Sequence, residues 1–193
     1  MTLSDTGRLD RTAEPDIALS MDEEAFSAFY DRTSRPVWAY LARITGDRHL
    51  ADDLLQETYY RFLRAAASHE SEAHRRHSLF QIATNLARDA RRRSLLRPWF
   101  GRRLVDQQEV AGSSDVAGDA ERRTDVGRAM ARLKPRDRSL LWLAHVEGFS
   151  HREIGDAIGV KPDSVKLLLF RARRRLAALL ACAPPHAADR RTR

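Results

Sequence analysis

The chain has 193 residues, with 34 basic and 27 acidic side chains and a net charge of +7; 31 of the basic residues are Arg and 3 are Lys. At 42% hydrophobic and 32% charged it has the apolar material for a core, which excludes a wholly disordered chain. The length suits one domain or two small ones. No apolar run approaches the length of a membrane span, and the polar, acidic first 15 residues lack the apolar stretch of a signal peptide. The single Cys182 excludes a disulfide framework and a multi-Cys metal site, and fits a reducing cytoplasm.

Charge is distributed unevenly. Residues 1–20 carry −2, residues 21–96 carry +1, residues 97–120 carry −1, residues 121–182 carry +7 and the tail from 183 carries +2. No strand-like alternation of useful length occurs, and Val and Ile are sparse, so the fold class is all-α: two small helical domains joined by a flexible linker. In chain order, 1–20 is expected to be a disordered leader and 21–96 a first helical domain. A Gly- and Ser-containing linker over 97–120, a second helical domain over 121–182 and a frayed tail over 183–193 follow. Within the first domain the periodicity predicts helices at 22–33, 36–45, 48–67 and 77–95, with Pro36 in a first helical turn and Gly46 at a helix end. The second domain reads as helices at 121–133, 135–146, 151–158 and 162–181.

Two helices of the first domain carry candidate surfaces. On 48–67, Leu54, Leu55, Thr58 and Phe62 face inward, leaving Asp53, Gln56, Glu57 and Tyr60 as an acidic outer stripe. On 77–95, Leu79, Ile82, Leu86 and Ala90 form the buried stripe, while Gln81, Asn85, Arg88 and Arg92 line the other side. Amide and guanidinium groups in one row suit nucleic acid, although such a row is also compatible with a solvated face.

The stretch from Ser150 to Leu169 has the pattern of a helix-turn-helix. Gly148 ends the helix before it, and Ser150 and Glu153 form a capping box. Gly155 is small where two helices cross, Gly159 permits a left-handed turn, and Pro162 restarts a helix at its first position. Val165, Leu168 or Leu169, Ala172 and Leu176 then recur at helical spacing and close the core. A hairpin that binds nothing has the same spacings. Lys161, Lys166, Arg171, Arg173, Arg174 and Arg175 on the second helix favour DNA, because a helix seated in the major groove needs cations beside phosphates.

These motifs carry a resemblance. Asp52-Asp-Leu-Leu-Gln-Glu-Thr-Tyr-Tyr-Arg-Phe62 resembles the second-region motif of bacterial sigma factors, and Leu79 to Arg92 resembles the helix that follows it in the two-domain extracytoplasmic-function group. Leu133 to Leu141 and Glu147 to Ala172 are similar to the fourth region of that group. The resemblance covers about residues 22–95 and 121–181, in the expected order, and implies a sigma factor that directs promoter recognition, DNA melting and transcription initiation. It implies that Asp52, Asp53, Gln56, Glu57 and Tyr60 bind core RNA polymerase at the clamp coiled coil of its largest subunit. By position, Asn85, Arg88, Arg91 and Arg92, with a loop over 68–77, take the downstream (−10) promoter element. Lys161, Ser164, Lys166 and Arg171 take the upstream (−35) element. It also implies an anti-sigma partner, no cofactor, no metal and no membrane. Four positions depart from the group's pattern, among them Lys161, which replaces a better N-cap residue. Ser78 stands where an aromatic is usual, and Leu167 and Leu168 stand where Ser-Arg is usual; Leu167 cannot hydrogen-bond phosphate.

Two other classes compete. A helix-turn-helix regulator that is not a polymerase subunit explains 121–181 equally well but leaves the acidic helix unexplained. An enzyme is the other: His69, His74 and His77 with Glu70 and Glu72 are close in sequence as a metal site is, but their spacing is not that of a helical ligand pair. No Gly-rich phosphate loop or nucleophile motif occurs, so no active site is expected.

Overall fold

A computed structural model describes residues 22–65, 71–95 and 125–182. The expected leader, linker and tail, and His69 and Glu70, lie outside the described residues. Those described form seven α-helices and no strand: α1 (Glu23–Thr45), α2 (Arg48–Arg64), α3 (Glu72–Leu95), α4 (Asp125–Arg132), α5 (Pro135–His145), α6 (His151–Ile158) and α7 (Pro162–Ala181).

Local signals set most of the helix ends. The Asp22 carboxylate accepts from the Ala25 N–H at 2.7 Å, with Glu23 and Glu24 in the positive first turn of α1. Gly46, at φ 77°, ends α1 in the left-handed conformation and donates its N–H to the Ala42 carbonyl. Asp47 then caps α2 by accepting from the Leu50 N–H. The sequence reading places a helix start at Pro36, but α1 runs through it. Pro36 has no N–H to give the carbonyl four residues back, a loss that ordinarily breaks a helix. Here Phe29 and Thr33 before it and Val37, Tyr40 and Leu41 after it are buried on one continuous face, and that packing holds the helix together.

The expected loop over 68–77 is helical from Glu72 onward, residues 68–70 lying outside the described residues. Helix α3 begins at Glu72, so His74, Arg75, Arg76 and His77 are helical. On the other side of that loop, α2 stops at Arg64, earlier than the expected Ala67.

The first three helices pack through aromatic and hydroxyl contacts. Phe29 stacks on Phe62 with ring centroids 5.3 Å apart. The Thr33 and Tyr59 hydroxyls share a hydrogen bond of 2.7 Å, as do those of Tyr40 and Thr84. Burial pushes the Tyr40 and Tyr59 phenols up to about 12, so both stay protonated and remain donors. In the second group, Leu140, Leu143, Ile154, Val165, Leu169 and Ala172 fill the space between α5, α6 and α7. The two groups do not stand apart. Tyr40 of α1 meets Trp142 of α5, and Phe80 of α3 meets Phe149, so one continuous apolar cluster runs through both.

Candidate protein and nucleic-acid interfaces

Helix α2 presents the acidic stripe. Leu54, Thr58 and Phe62 are buried and Leu55 is half-buried, which turns Asp52, Asp53, Gln56 and Tyr60 to solvent with Glu57 beside them. The stripe is braced at both ends. The Asp52 carboxylate accepts from the Trp38 indole N–H at 2.6 Å. Glu57 pairs with Arg61 at 2.6 Å, and Arg64 donates to the Tyr60 hydroxyl while its guanidinium lies 5.3 Å from the ring centroid. Half of the Tyr60 surface is exposed, giving the stripe an apolar edge of the kind that anchors a protein interface.

Helix α7 presents the cationic stripe. Lys161, Ser164, Lys166 and Arg171 are all exposed, whereas Val165, Leu169 and Ala172 face the core. The helix-turn-helix geometry is as the sequence indicates. The Glu153 N–H donates to the Ser150 hydroxyl and the Ser150 N–H donates to the Glu153 carboxylate at 2.8 Å. The Ser150 hydroxyl bond to Glu153 is the main reason its carboxyl is held below the ordinary carboxylate range. A Cβ at Gly155 would meet the Val160 carbonyl at 2.8 Å, so only glycine lets the turn pass this close. Gly159 adopts φ 71°, and Pro162 opens α7 in its first turn. Lys161 sits at the N-cap without making a side-chain capping bond.

Not every cation of α7 is available to a ligand. Arg175 donates to the buried Asp137 carboxylate at 2.7 Å, and Arg173 donates to His145. Arg174 lies over the Phe170 ring at 5.9 Å. The sequence reading counts all three toward DNA, but Arg175 completes the fold, neutralising a carboxylate in the first turn of α5. Of the two leucines that depart from the family pattern, Leu168 is partly buried against the core, while Leu167 is 51% exposed.

The third stripe is engaged in part within the chain, with Gln81 and Asn85 half-buried and Arg88, Arg91 and Arg92 exposed. Arg88 donates to the Ile158 carbonyl at 3.3 Å and to the Asn85 side-chain oxygen at 2.6 Å. Gln81 donates to the Asp156 carbonyl at 3.3 Å. Both carbonyls belong to the C-terminal end of α6, where helix acceptors lack their own donors and the dipole is negative. Arg91 and Arg92 are exposed, Arg92 being 3.9 Å from Asp89. The contact with α6 is missed by sequence reasoning, because the residues beside it, Arg76, Glu147 and Phe149, belong to no periodic stripe. Arg76 pairs with Glu147, whose side chain is 1% exposed and accepts from the Trp142 indole N–H at 2.9 Å. The Phe149 ring stands 5.5 Å from His77 and 5.6 Å from Phe80. Desolvation lowers the His77 pKa, outweighing the facing Glu153 and Asp156 carboxylates. Its Nδ1 is buried without a hydrogen-bond partner among the described residues.

His74 and His77 share α3, and among the described residues no group of three or more His, Cys, Asp or Glu is placed to hold a metal ion. No helix among them is long and apolar enough to cross a membrane.

An all-helical chain that couples a helix-turn-helix to a three-helix group with an exposed acidic stripe has the architecture of the sigma-70 class. Residues 29–95 match the family model of Sigma-70 region 2, and residues 123–176 match that of Sigma-70, region 4. The chain is 31% identical to the RNA polymerase sigma factor CarQ of Myxococcus xanthus, over 82% of this chain and 90% of that protein. It is 30% identical to the ECF RNA polymerase sigma factor SigM of Bacillus subtilis, over 78% and 91%. The chain belongs to the ECF sigma factors of the sigma-70 family. It is also 35% identical to the ECF sigma factor SigG of Mycobacterium tuberculosis over 86% of its length, but spans only 50% of that longer relative. Among solved structures, the fold is similar to that of the sigma factor RpoE in complex with the anti-sigma factor NepR from Bartonella quintana. The TM-score is 0.61 at 22% identity, covering 83% of this chain and 99% of that one. It is similar as well to CnrH in complex with the cytosolic domain of CnrY, with a TM-score of 0.55 at 23% identity, over 86% and 93%.

Proposed function

We infer that the chain is a promoter-specificity subunit of RNA polymerase, working in the cytoplasm and lacking chemistry of its own. The observation that carries this reading is the pair of opposed stripes on one molecule. Asp52, Asp53, Gln56, Glu57 and Tyr60 of α2 form a protein-binding surface that a DNA-binding module alone does not need. Lys161, Ser164, Lys166 and Arg171 of α7 form a cationic face suited to the major groove. In this reading α2 docks on the clamp coiled coil of the largest polymerase subunit and α7 grips the upstream element. On α3, Asn85, Arg88, Arg91 and Arg92 take the strand exposed by melting, whose unstacked bases and phosphates need amide and guanidinium partners.

The polymerase performs the chemistry, so the chain needs no active site, cofactor or metal. Residues 21–96 and 121–182 are the two working units, and residues 97–120 join them. Two modules on one chain bind jointly through effective concentration, so neither has to be tight alone. An anti-sigma protein belongs to this reading as the partner that withholds the factor from polymerase. The test is run-off transcription with core polymerase on a library of genomic fragments, combined with capture of core polymerase by the purified chain. Start sites should appear only with both components, and Asp53→Ala or Gln56→Ala should abolish capture. Unchanged capture by those variants overturns the α2 assignment.

A further inference from the structure

A cleft of about 420 Å³ opens between the C-terminal halves of α1 and α3 and the start of α5, a size that suits a small ligand. Ile44, Leu50, Ala87, Ala90 and Ile158 give it apolar walls. Arg88, Arg91 and Arg136, all exposed, bring guanidinium groups to the same lining.

The other hydrogen-bond donors of the lining are already committed. The Thr45, Thr84, Ser94 and Ser139 hydroxyls each donate to a backbone carbonyl of their own helix. What the cleft offers a ligand is therefore guanidinium N–H groups, which call for acceptor oxygens. Charge is unbalanced as well. No carboxylate among the described residues pairs with Arg88, Arg91, Arg136 or Arg138. Arg138 lies between the lining residues Arg136 and Ser139 in sequence and donates to the Arg43 carbonyl at 2.7 Å. Its Nε is buried without a hydrogen-bond partner among the described residues. Burial lowers its pKa, and the neighbouring Arg43 and Arg91 charges lower it further. An anion seated here relieves that repulsion.

We propose that this cleft binds a small phosphate ester, its phosphate on the guanidinium groups and its apolar ring or chain against Ile44, Ala87 and Ala90, the chemistry a mononucleotide offers. Three cations without a counter-charge favour a dianion over a single carboxylate, and a guanidinium meets phosphate through paired N–H···O bonds. The apolar walls separate an ester with a body from inorganic phosphate. Arg88 and Arg91 also belong to the set that the functional reading above gives to opened DNA. On that reading ester and strand compete, and a metabolite of this class restrains promoter opening. The site itself does not depend on that reading, because its binding is measured without polymerase.

Isothermal titration calorimetry of the full chain with the ribonucleoside 5′-monophosphates and octyl phosphate tests the site. At least one ester should bind with a dissociation constant below about 1 mM, and its parent nucleoside or alcohol, like inorganic phosphate, about tenfold or more weakly. Arg136→Ala should weaken that binding about tenfold. Arg93→Ala, which removes an exposed cation of α3 outside the lining, should leave it unchanged. Equal losses in the two variants mean diffuse attraction to a basic surface and overturn the site. Ala90→Leu narrows the apolar wall and should weaken the ester without changing inorganic phosphate, with thermal unfolding confirming that the variant is folded. No binding by any of these esters overturns the proposal, as does inorganic phosphate that binds as tightly as the best of them. A single-stranded oligonucleotide that binds where no ester does gives the cations to DNA alone.

Discussion

Arg76 and Glu147 form an ion pair between two helical groups, 71 residues apart in sequence, with the carboxylate almost wholly buried and the guanidinium partly exposed. The asymmetry decides what breaking the pair costs. Arg76→Ala removes the cation and leaves a buried carboxylate with only the Trp142 indole as donor, which should cost about 1–3 kcal/mol in urea unfolding. Glu147→Gln keeps an acceptor for the indole and removes the charge, so its loss should be smaller. In a double-mutant cycle the two substitutions together should cost less than the sum of their separate effects.

Gly155 offers a sharper packing test. Its missing Cβ would stand 2.8 Å from the Val160 carbonyl and 3.3 Å from the Pro162 nitrogen, both backbone atoms that cannot rotate away. Gly155→Ala should therefore force α6 and α7 apart at the turn and destabilise the chain by about 1–3 kcal/mol, although alanine favours helix more than glycine does. Thermal unfolding measures this. An unchanged or raised midpoint would show that the crossing has slack.

The helix-turn-helix was legible in the sequence because its signals are local: Ser150 and Glu153 at one end of α6, Gly159 and Pro162 in the turn. The acidic stripe was legible because helical spacing alone sorts Leu54, Thr58 and Phe62 from Asp53, Gln56 and Tyr60. What escaped depends on distant partners. Pro36 stops a helix by every local rule, and only burial of Phe29, Thr33, Val37 and Tyr40 on one face overrides it. The first turns of α3 carry His74, Arg75, Arg76 and His77, with no apolar period, because their support comes from Glu147 and Phe149. Arg175 reads as a DNA cation until Asp137, 38 residues earlier, proves to be its partner.

Two groups at this join titrate in separate windows. The His77 pKa is lowered by burial below its ordinary 6.5, so between that value and the lowered one the unfolded chain binds the proton and the folded chain does not. Stability should then fall as pH drops below about 6.5. His77→Phe keeps a ring against Phe149 and has no proton to take up, so its stability should be flatter there. Glu153, which the Ser150 hydroxyl bond holds below its ordinary 4.5, contributes stability above that pH and loses it only as pH falls through the lowered value. Ser150→Ala should cost about 1 kcal/mol at neutral pH through the lost cap, and should shrink the acid loss below 4.5 while leaving the His77 window in place. Denaturant midpoints between neutral and acid pH separate the two.

Lys166 and Arg175 lie on one helix and carry the same charge, but they should fail in different assays. Lys166 is exposed beside Leu167, on the face turned away from Val165 and Leu169. Lys166→Ala should weaken duplex binding and reduce the slope of log affinity against log salt by about 1, with little change in stability. Arg175 holds the Asp137 carboxylate, which is 7% exposed. Arg175→Ala should cost about 1–3 kcal/mol of stability by leaving that carboxylate buried and unpaired, while the salt slope of the folded fraction stays as in the parent. Leu167 adds a third behaviour. It contributes no charge, so Leu167→Ser should leave the salt slope unchanged and, by supplying a hydroxyl to phosphate, tighten duplex binding about equally across upstream sequences. Titration of labelled duplexes at several salt concentrations measures all three, and a lowered slope for Arg175→Ala would return that residue to the DNA-binding set.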